Sequence, residues 1–171
     1  GSGIGKETAH RLVKEGAHIV VSELAGAAFH GGLQTRALPG RLGRLSPEQI
    51  RAVARPGTFH TPRTSVLALE NTHNTSGGTV WPVEELRAAV ETARELGLNA
   101  HLDGARLLNA ATASGVAPAE LASQFDTVTL CLSKGLGCPL GALIAGSHEL
   151  MHRARVEKHR FGGAMRQAGI V

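Results

Sequence analysis

The sequence predicts an α/β fold with a mostly parallel sheet, and two observations carry that expectation. Short apolar runs alternate with stretches of helical periodicity along most of the chain. Three successive runs also end on polar clusters, at 70–74, 103–106 and 133–134. In open α/β sheets ligands gather beyond the carboxyl ends of the strands, so the position of these clusters is already a functional signal. With 171 residues the chain is one domain's worth of material, and one core is expected.

Residues 1–21 read as a Gly-rich turn, a helix over 6–15 and a short strand over 19–21, while 25–45, rich in Gly, Arg and Pro, reads as loop. Ser46-Pro47-Glu48-Gln49 is a helix start, with Ser as N-cap, Pro at the first helical position and Gln three residues after the cap, so a helix should run to about Arg55. A buried strand is expected over 64–69. Pro82 opens the clearest helix, whose Val83, Leu86, Ala89, Val90, Ala93 and Leu96 recur at three-and-four spacing up to Gly97. Strand 98–102 follows and ends on Asp103. A short helix from Ala105, a turn near Gly115 and a helix from Pro118 lead to strand 127–132, ending on Ser133-Lys134. Strand 142–145 and a basic helix over about 147–160 complete the pattern.

Composition narrows the function. Aromatic residues make up 3% and Tyr is absent, so base-stacking platforms for single-stranded nucleic acid are missing and Tyr acid/base chemistry is excluded. The formal net charge of +4 is concentrated in 151–171, where Arg153, Arg155, Lys158, Arg160 and Arg166 face one acid, Glu157. The rest of the chain is neutral, which suits a solvated helix face or a small anion site and not a nucleic-acid groove. Cys131 and Cys138 have neither disulfide-framework nor zinc-ribbon spacing, so a reducing, cytoplasmic setting is expected. No apolar stretch is long enough to suggest a membrane span.

Lys134 is the only charged residue between Asp126 and Glu149. A lone lysine in an apolar, Gly-rich setting either reaches out to solvent or serves as the amine that forms a Schiff base with a carbonyl. Asp103, one strand end earlier, is the carboxylate that a pyridinium nitrogen requires. Together they are what a protein contributes to a pyridoxal phosphate site.

Four motifs stand in register: Glu70-Asn71-Thr72-His73-Asn74, His101-Leu102-Asp103-Gly104-Ala105-Arg106, Cys131-Leu132-Ser133-Lys134-Gly135-Leu136-Gly137 and Gly162-Gly163-Ala164-Met165-Arg166-Gln167. With them the chain from about Ala17 to Val171 closely resembles the pyridoxal-phosphate-dependent threonine aldolases. The resemblance implies a three-layer fold-type-I large domain of the aspartate aminotransferase type over 17–171, with 1–16 as an atypical Gly-rich segment. It implies that Lys134 holds the cofactor, Asp103 faces the pyridine nitrogen, and Arg106 lies near the substrate carboxylate and the ring. It further implies that His18 stacks on the ring, His60 lies close to the substrate hydroxyl, and Arg166 contributes to anion binding near the cofactor phosphate. Glu70 and His73 belong to a family motif and read as supporting residues behind these groups.

A histidine placed at the β-hydroxyl suits the role of base, and His60 and His18 are the candidates. The implied reaction is cleavage of L-threonine or L-allo-threonine to glycine and acetaldehyde, in a homo-oligomer. Cys138 stands where the family usually has a small residue, and Ala164 replaces a Gly. An N-terminal phosphate-binding turn and a C-terminal small domain carrying a further carboxylate-binding arginine are not found in the sequence, so the isolated chain is expected to be a weak catalyst. The competing readings are a non-catalytic homologue kept as an interaction module and a sister β-eliminating lyase acting on another amino acid.

Two motifs read as accidental. Gly1-Ser2-Gly3-Ile4-Gly5 with Glu23 resembles a dinucleotide fingerprint, but no strand precedes it and the Tyr of such dehydrogenases is missing. His148-Glu149-Leu150-Met151-His152 matches a zinc-peptidase pattern, but Arg155 and Lys158 fill the positions of its extension and no acid follows Glu157, so no metal is expected.

Overall fold

The computed structural model describes residues 18–20, 31–167 and 169. The helix expected over 6–15 and the Gly-rich fingerprint lie outside them. A six-stranded sheet organises the rest: β1 (His18–Val20), β2 (Gln34–Thr35), β3 (Thr64–Glu70), β4 (Asn99–Asp103), β5 (Thr127–Cys131) and β6 (Ala142–Gly146), in the order β2-β1-β3-β4-β5-β6. The first five are parallel, and β6 pairs antiparallel to β5. Among the described residues five helices accompany them: α1 (Pro47–Val53), α2 (Val83–Glu95), α3 (Leu107–Ser114), α4 (Pro118–Ala122) and α5 (His148–Arg160).

The helix starts follow the sequence closely. Ser46 Oγ accepts from Gln49 N at 3.3 Å and Gln49 Oε1 accepts from Ser46 N at 2.9 Å, so the capping box ahead of α1 is complete. Gly115 closes α3 at φ 70°, a left-handed conformation that a side chain would strain. Ser147 caps α5 by accepting from Leu150 N. Within 25–45, read as loop, the chain instead makes the two-residue strand β2, which is too short to display a period.

Strand alternation sorts the residues onto two faces. Leu67 and Leu69 of β3, Ala100 and Leu102 of β4 and Val128 of β5 point to one face, where Leu86, Ala89, Val90 and Ala93 of α2 pack on them with Leu107, Ala110 and Leu121. The other face carries Ala68 and Glu70, His101 and Asp103, and Thr127, Thr129 and Cys131. This second face is polar toward its carboxyl end, and its composition positions the site.

Candidate active site

The carboxyl ends of three parallel strands come level. Register pairs Glu70 with Asp103 and Asp103 with Thr129, so these side chains stand in a row on one face. Asp103 Oδ1 accepts from Ala105 N at 3.0 Å and from Thr129 Oγ1 at 3.4 Å, whereas Oδ2 has no hydrogen-bond partner among the described residues. One oxygen is fixed by these contacts and the other is not. The turn behind it is tight, since a Cβ on Gly104 would come within 2.7 Å of the Thr129 carbonyl oxygen.

Beside β4, Glu70 Oε1 accepts from Asn74 N at 3.0 Å and Glu70 Oε2 lies 3.7 Å from His73 Nε2, while His73 Nδ1 shares a 2.8 Å hydrogen bond with Ser76 Oγ. Trp81, 1% exposed, donates its indole N–H to the Glu70 carbonyl at 3.1 Å and its backbone N–H to Asn71 Oδ1 at 3.3 Å. Asn71 N in turn donates to the Asp103 carbonyl at 3.1 Å. The end of β3 is thereby tied to the end of β4 through backbone, and Glu70 and His73 support that junction.

Past β5 the chain makes a closed loop. Leu132 N donates to the Gly141 carbonyl at 2.9 Å, Cys138 N to the Leu132 carbonyl at 3.1 Å and Gly137 N to the Lys134 carbonyl at 3.0 Å. Lys134 stands on this loop, exposed to solvent. Arg106, the residue preceding α3, is partly buried on the same side. The charges of both cations are felt at Cys131. Its thiol is held below the ordinary range mainly by the hydrogen bond with Ser133 and further by the charges of Lys134 and Arg106, with desolvation working against them. A cleft of about 330 Å³ opens between α3 and this loop, lined by Arg106, Asn109, Thr112, Leu130, Cys131 and Leu136.

The structure therefore brings Asp103, Arg106 and Lys134 to one end of the sheet. Two of the other sequence candidates, His60 and His18, lie by backbone position toward the opposite end of β3. His60 precedes β3, exposed and edge-on to Phe59 with ring centroids 5.0 Å apart, so it lies at the end of that strand remote from Glu70. The backbone of His18 pairs with Thr64, the first residue of β3. Arg166 is exposed in the segment after α5. Thr127 and Thr129 were not singled out by the sequence reading, although their signal was available: in Thr-Val-Thr-Leu-Cys the polar residues alternate, which puts them on the face of Asp103. His148 and His152 are exposed on α5, and among the described residues no group of three or more His, Cys, Asp or Glu is arranged to hold a metal ion. No helix of the described residues is long and apolar enough to cross a membrane.

The family model for beta-eliminating lyases matches residues 4–171. The chain belongs to the beta-eliminating lyase family. The low specificity L-threonine aldolase of Escherichia coli K12 is 40% identical over 161 residues, which cover 94% of this chain and 47% of that enzyme. The solved threonine aldolase of Leishmania major superposes with a TM-score of 0.70 at 23% identity, over 91% of this chain and 50% of that one. A mutant aspartate aminotransferase of Thermus thermophilus does so with a TM-score of 0.65 at 17% identity, over 93% and 46%. These two likenesses show the fold, an α/β architecture of the aspartate aminotransferase type, which is fold type I among pyridoxal phosphate enzymes. The chain spans about half the length of the relatives it matches. In this member of the family the motifs around Asp103 and Lys134 lie at the carboxyl edge of the sheet, where the α/β rule expects ligands.

Proposed function

We propose that the chain is the large-domain portion of a pyridoxal-phosphate-dependent aldehyde-lyase that cleaves L-threonine or L-allo-threonine to glycine and acetaldehyde. The observation that carries this reading is Asp103, with one carboxylate oxygen fixed by Ala105 N and Thr129 and the other open, one strand from the exposed amine of Lys134. The residues present fit the cofactor's two reactive ends, a cationic ring nitrogen opposite a carboxylate and a carbonyl opposite a primary amine. When bound, the cofactor supplies the electron sink for the pair released as the Cα–Cβ bond breaks.

The chain's own residues supply the rest. Lys134 holds the cofactor by its ε-amine, and Asp103 keeps the ring nitrogen protonated by charge. Arg106 orients the substrate carboxylate, using the fork of donors that suits a bidentate anion. By motif position Arg166 would contribute to the anion site at the cofactor's phosphate, and His18 would be the residue assigned to the pyridine ring. The proton of the substrate β-hydroxyl goes to a histidine, His60 or His18 by motif position. His60 serves in that role only if the loop before β3 is brought to the carboxyl edge, within its own protomer or from a neighbour in a homo-oligomer. The setting proposed is cytoplasmic.

The test is chemical trapping. Pyridoxal phosphate is mixed with the chain, reduced with borohydride and located by peptide mapping, and the label is expected on Lys134 and absent from Lys134→Ala. Label on Lys6, Lys14 or Lys158 in place of Lys134 overturns the assignment. Glycine and acetaldehyde release from both threonine isomers, by the chain and by a version extended with a relative's flanking sequence, then tests the reaction.

A further inference from the structure

The polar face of the sheet holds a second ionisable group directly behind the open carboxylate. His101 and Asp103 are two residues apart on β4 and so share a face, roughly 6.6 Å apart along the strand. Each stands beside a threonine of β5: His101 pairs with Thr127 and Asp103 with Thr129. His101 Nδ1 shares a 2.8 Å hydrogen bond with Thr127 Oγ1, and Thr129 Oγ1 donates to Asp103 Oδ1. On the other flank β3 offers His101 only Ala68, with Glu70 beside Asp103 one step further on. Beyond Thr127, β6 offers Gly146. The Asp126 carboxylate is engaged by Ala100 N at 2.7 Å. Among the described residues Asp103 is therefore the charged group that His101 shares its strand face with, followed by Glu70 and the Cys131 thiol at the strand ends.

We propose that His101 is a positioning residue for Asp103, leaving the carboxylate's charge to a cationic ring nitrogen while it is neutral and competing with that ligand once it is protonated. The proposal deepens the cofactor reading above and rests on it for the identity of the ligand. Its physical basis is mutual exclusion. Two cations that both draw on one carboxylate in a partly desolvated setting weaken each other's binding, and the coupling is reciprocal. The burial of His101 favours its neutral form and dominates, while the charge of Asp103 and the hydrogen bond at Thr127 oppose that bias, so the carboxylate proposed to face the ligand also bears on the balance. Thr127 fixes the ring, which keeps the charge, when it appears, behind Asp103.

Two measurements separate this inference from the reading it rests on. The first uses the chain without cofactor: the His101 ring is titrated by NMR in the unaltered chain and in Asp103→Asn. Its midpoint is expected to fall in the variant, because the carboxylate that favours the charged ring is gone. An unmoved midpoint overturns the proposal whatever the cofactor does. The second measures pyridoxal phosphate affinity by fluorescence at about pH 8 and about pH 5.5. The ratio of the two affinities is expected to be smaller in His101→Gln than in the unaltered chain by on the order of fivefold. His101→Asn should behave alike, so that one poorly folding variant does not decide the result. Equal ratios overturn the proposal, and borohydride trapping at Lys134 in the same samples shows independently whether the cofactor reading stands.

Discussion

At the scale of single residues, Cys131 shows how a site's charges can be read from a group that takes no part in the chemistry proposed. Its thiol is held down first by Ser133 and then by Lys134 and Arg106, so thiolate persists to lower pH than for an ordinary cysteine. Alkylation of Cys131 followed by mass spectrometry at about pH 7 should accordingly slow in Ser133→Ala, with Cys138 as internal reference; an unchanged rate would remove Ser133 as the main cause. Gly43 gives a second prediction. It has φ 77°, and a Cβ there would fall 2.1 Å from the His73 ring carbon Cγ. Gly43→Ala combines left-handed strain with a clash against a ring held at Glu70 and Ser76, and should cost about 2 kcal/mol or more in denaturant unfolding. Lys134, Asp103 and Arg106 were legible from the sequence because motif spacing fixes their place at strand ends. The separation of His60 from them was not, because a motif does not say at which end of a strand a flanking loop lies.

Among the elements, α1 is short enough to depend on its start. Its two reciprocal cap bonds are both present, and Ser46→Ala should destabilise the chain by about 1 kcal/mol, read as a lower urea midpoint with unchanged slope. The helices were the most legible part of the fold. The Val83 to Leu96 periodicity, the Pro at each of three helix starts and the glycines at 97 and 115 mark their ends with little help from tertiary structure. Strand β6 shows the limit of such reading. Its apolar run was visible in the sequence, but its direction follows from the connection: the stretch from Leu132 to Gly141 is too short for a parallel crossover and folds back on β5. β2 was invisible for a different reason, because a strand of two residues is specified by its neighbour and not by its own pattern.

Over the whole molecule, one face of the sheet is an apolar core and the other mixes titratable groups with threonines, so acid should be felt through that second face. The ordinary value for a histidine is 6.5, and burial of His101 holds its folded-state value below that. The unfolded chain then binds the proton first. Stability from this group is unaffected above about pH 6.5 and falls as the pH drops from there through the folded value. Denaturant midpoints measured across that window should decline, and the decline should be shallower in His101→Gln; an identical slope would assign it to other groups. β6 forms one edge of the sheet among the described residues, with Leu143 54% exposed and no charge along the strand. Such an edge invites pairing with another chain, and Leu143→Lys should reduce concentration-dependent association in sedimentation. The reversal of the chain at that edge also bears on Lys134. Both ends of its loop are anchored in neighbouring paired strands, so an amine displaced from its ligand stays confined near the place it left. In the role proposed for Lys134, an amine arriving from bulk solution would compete against a tethered rival, whose local concentration is on the order of millimolar or above for a short tether. Under the role proposed for Lys134, lengthening this loop should therefore weaken recapture of the cofactor by the lysine, read as a lower yield of borohydride-trapped label at Lys134.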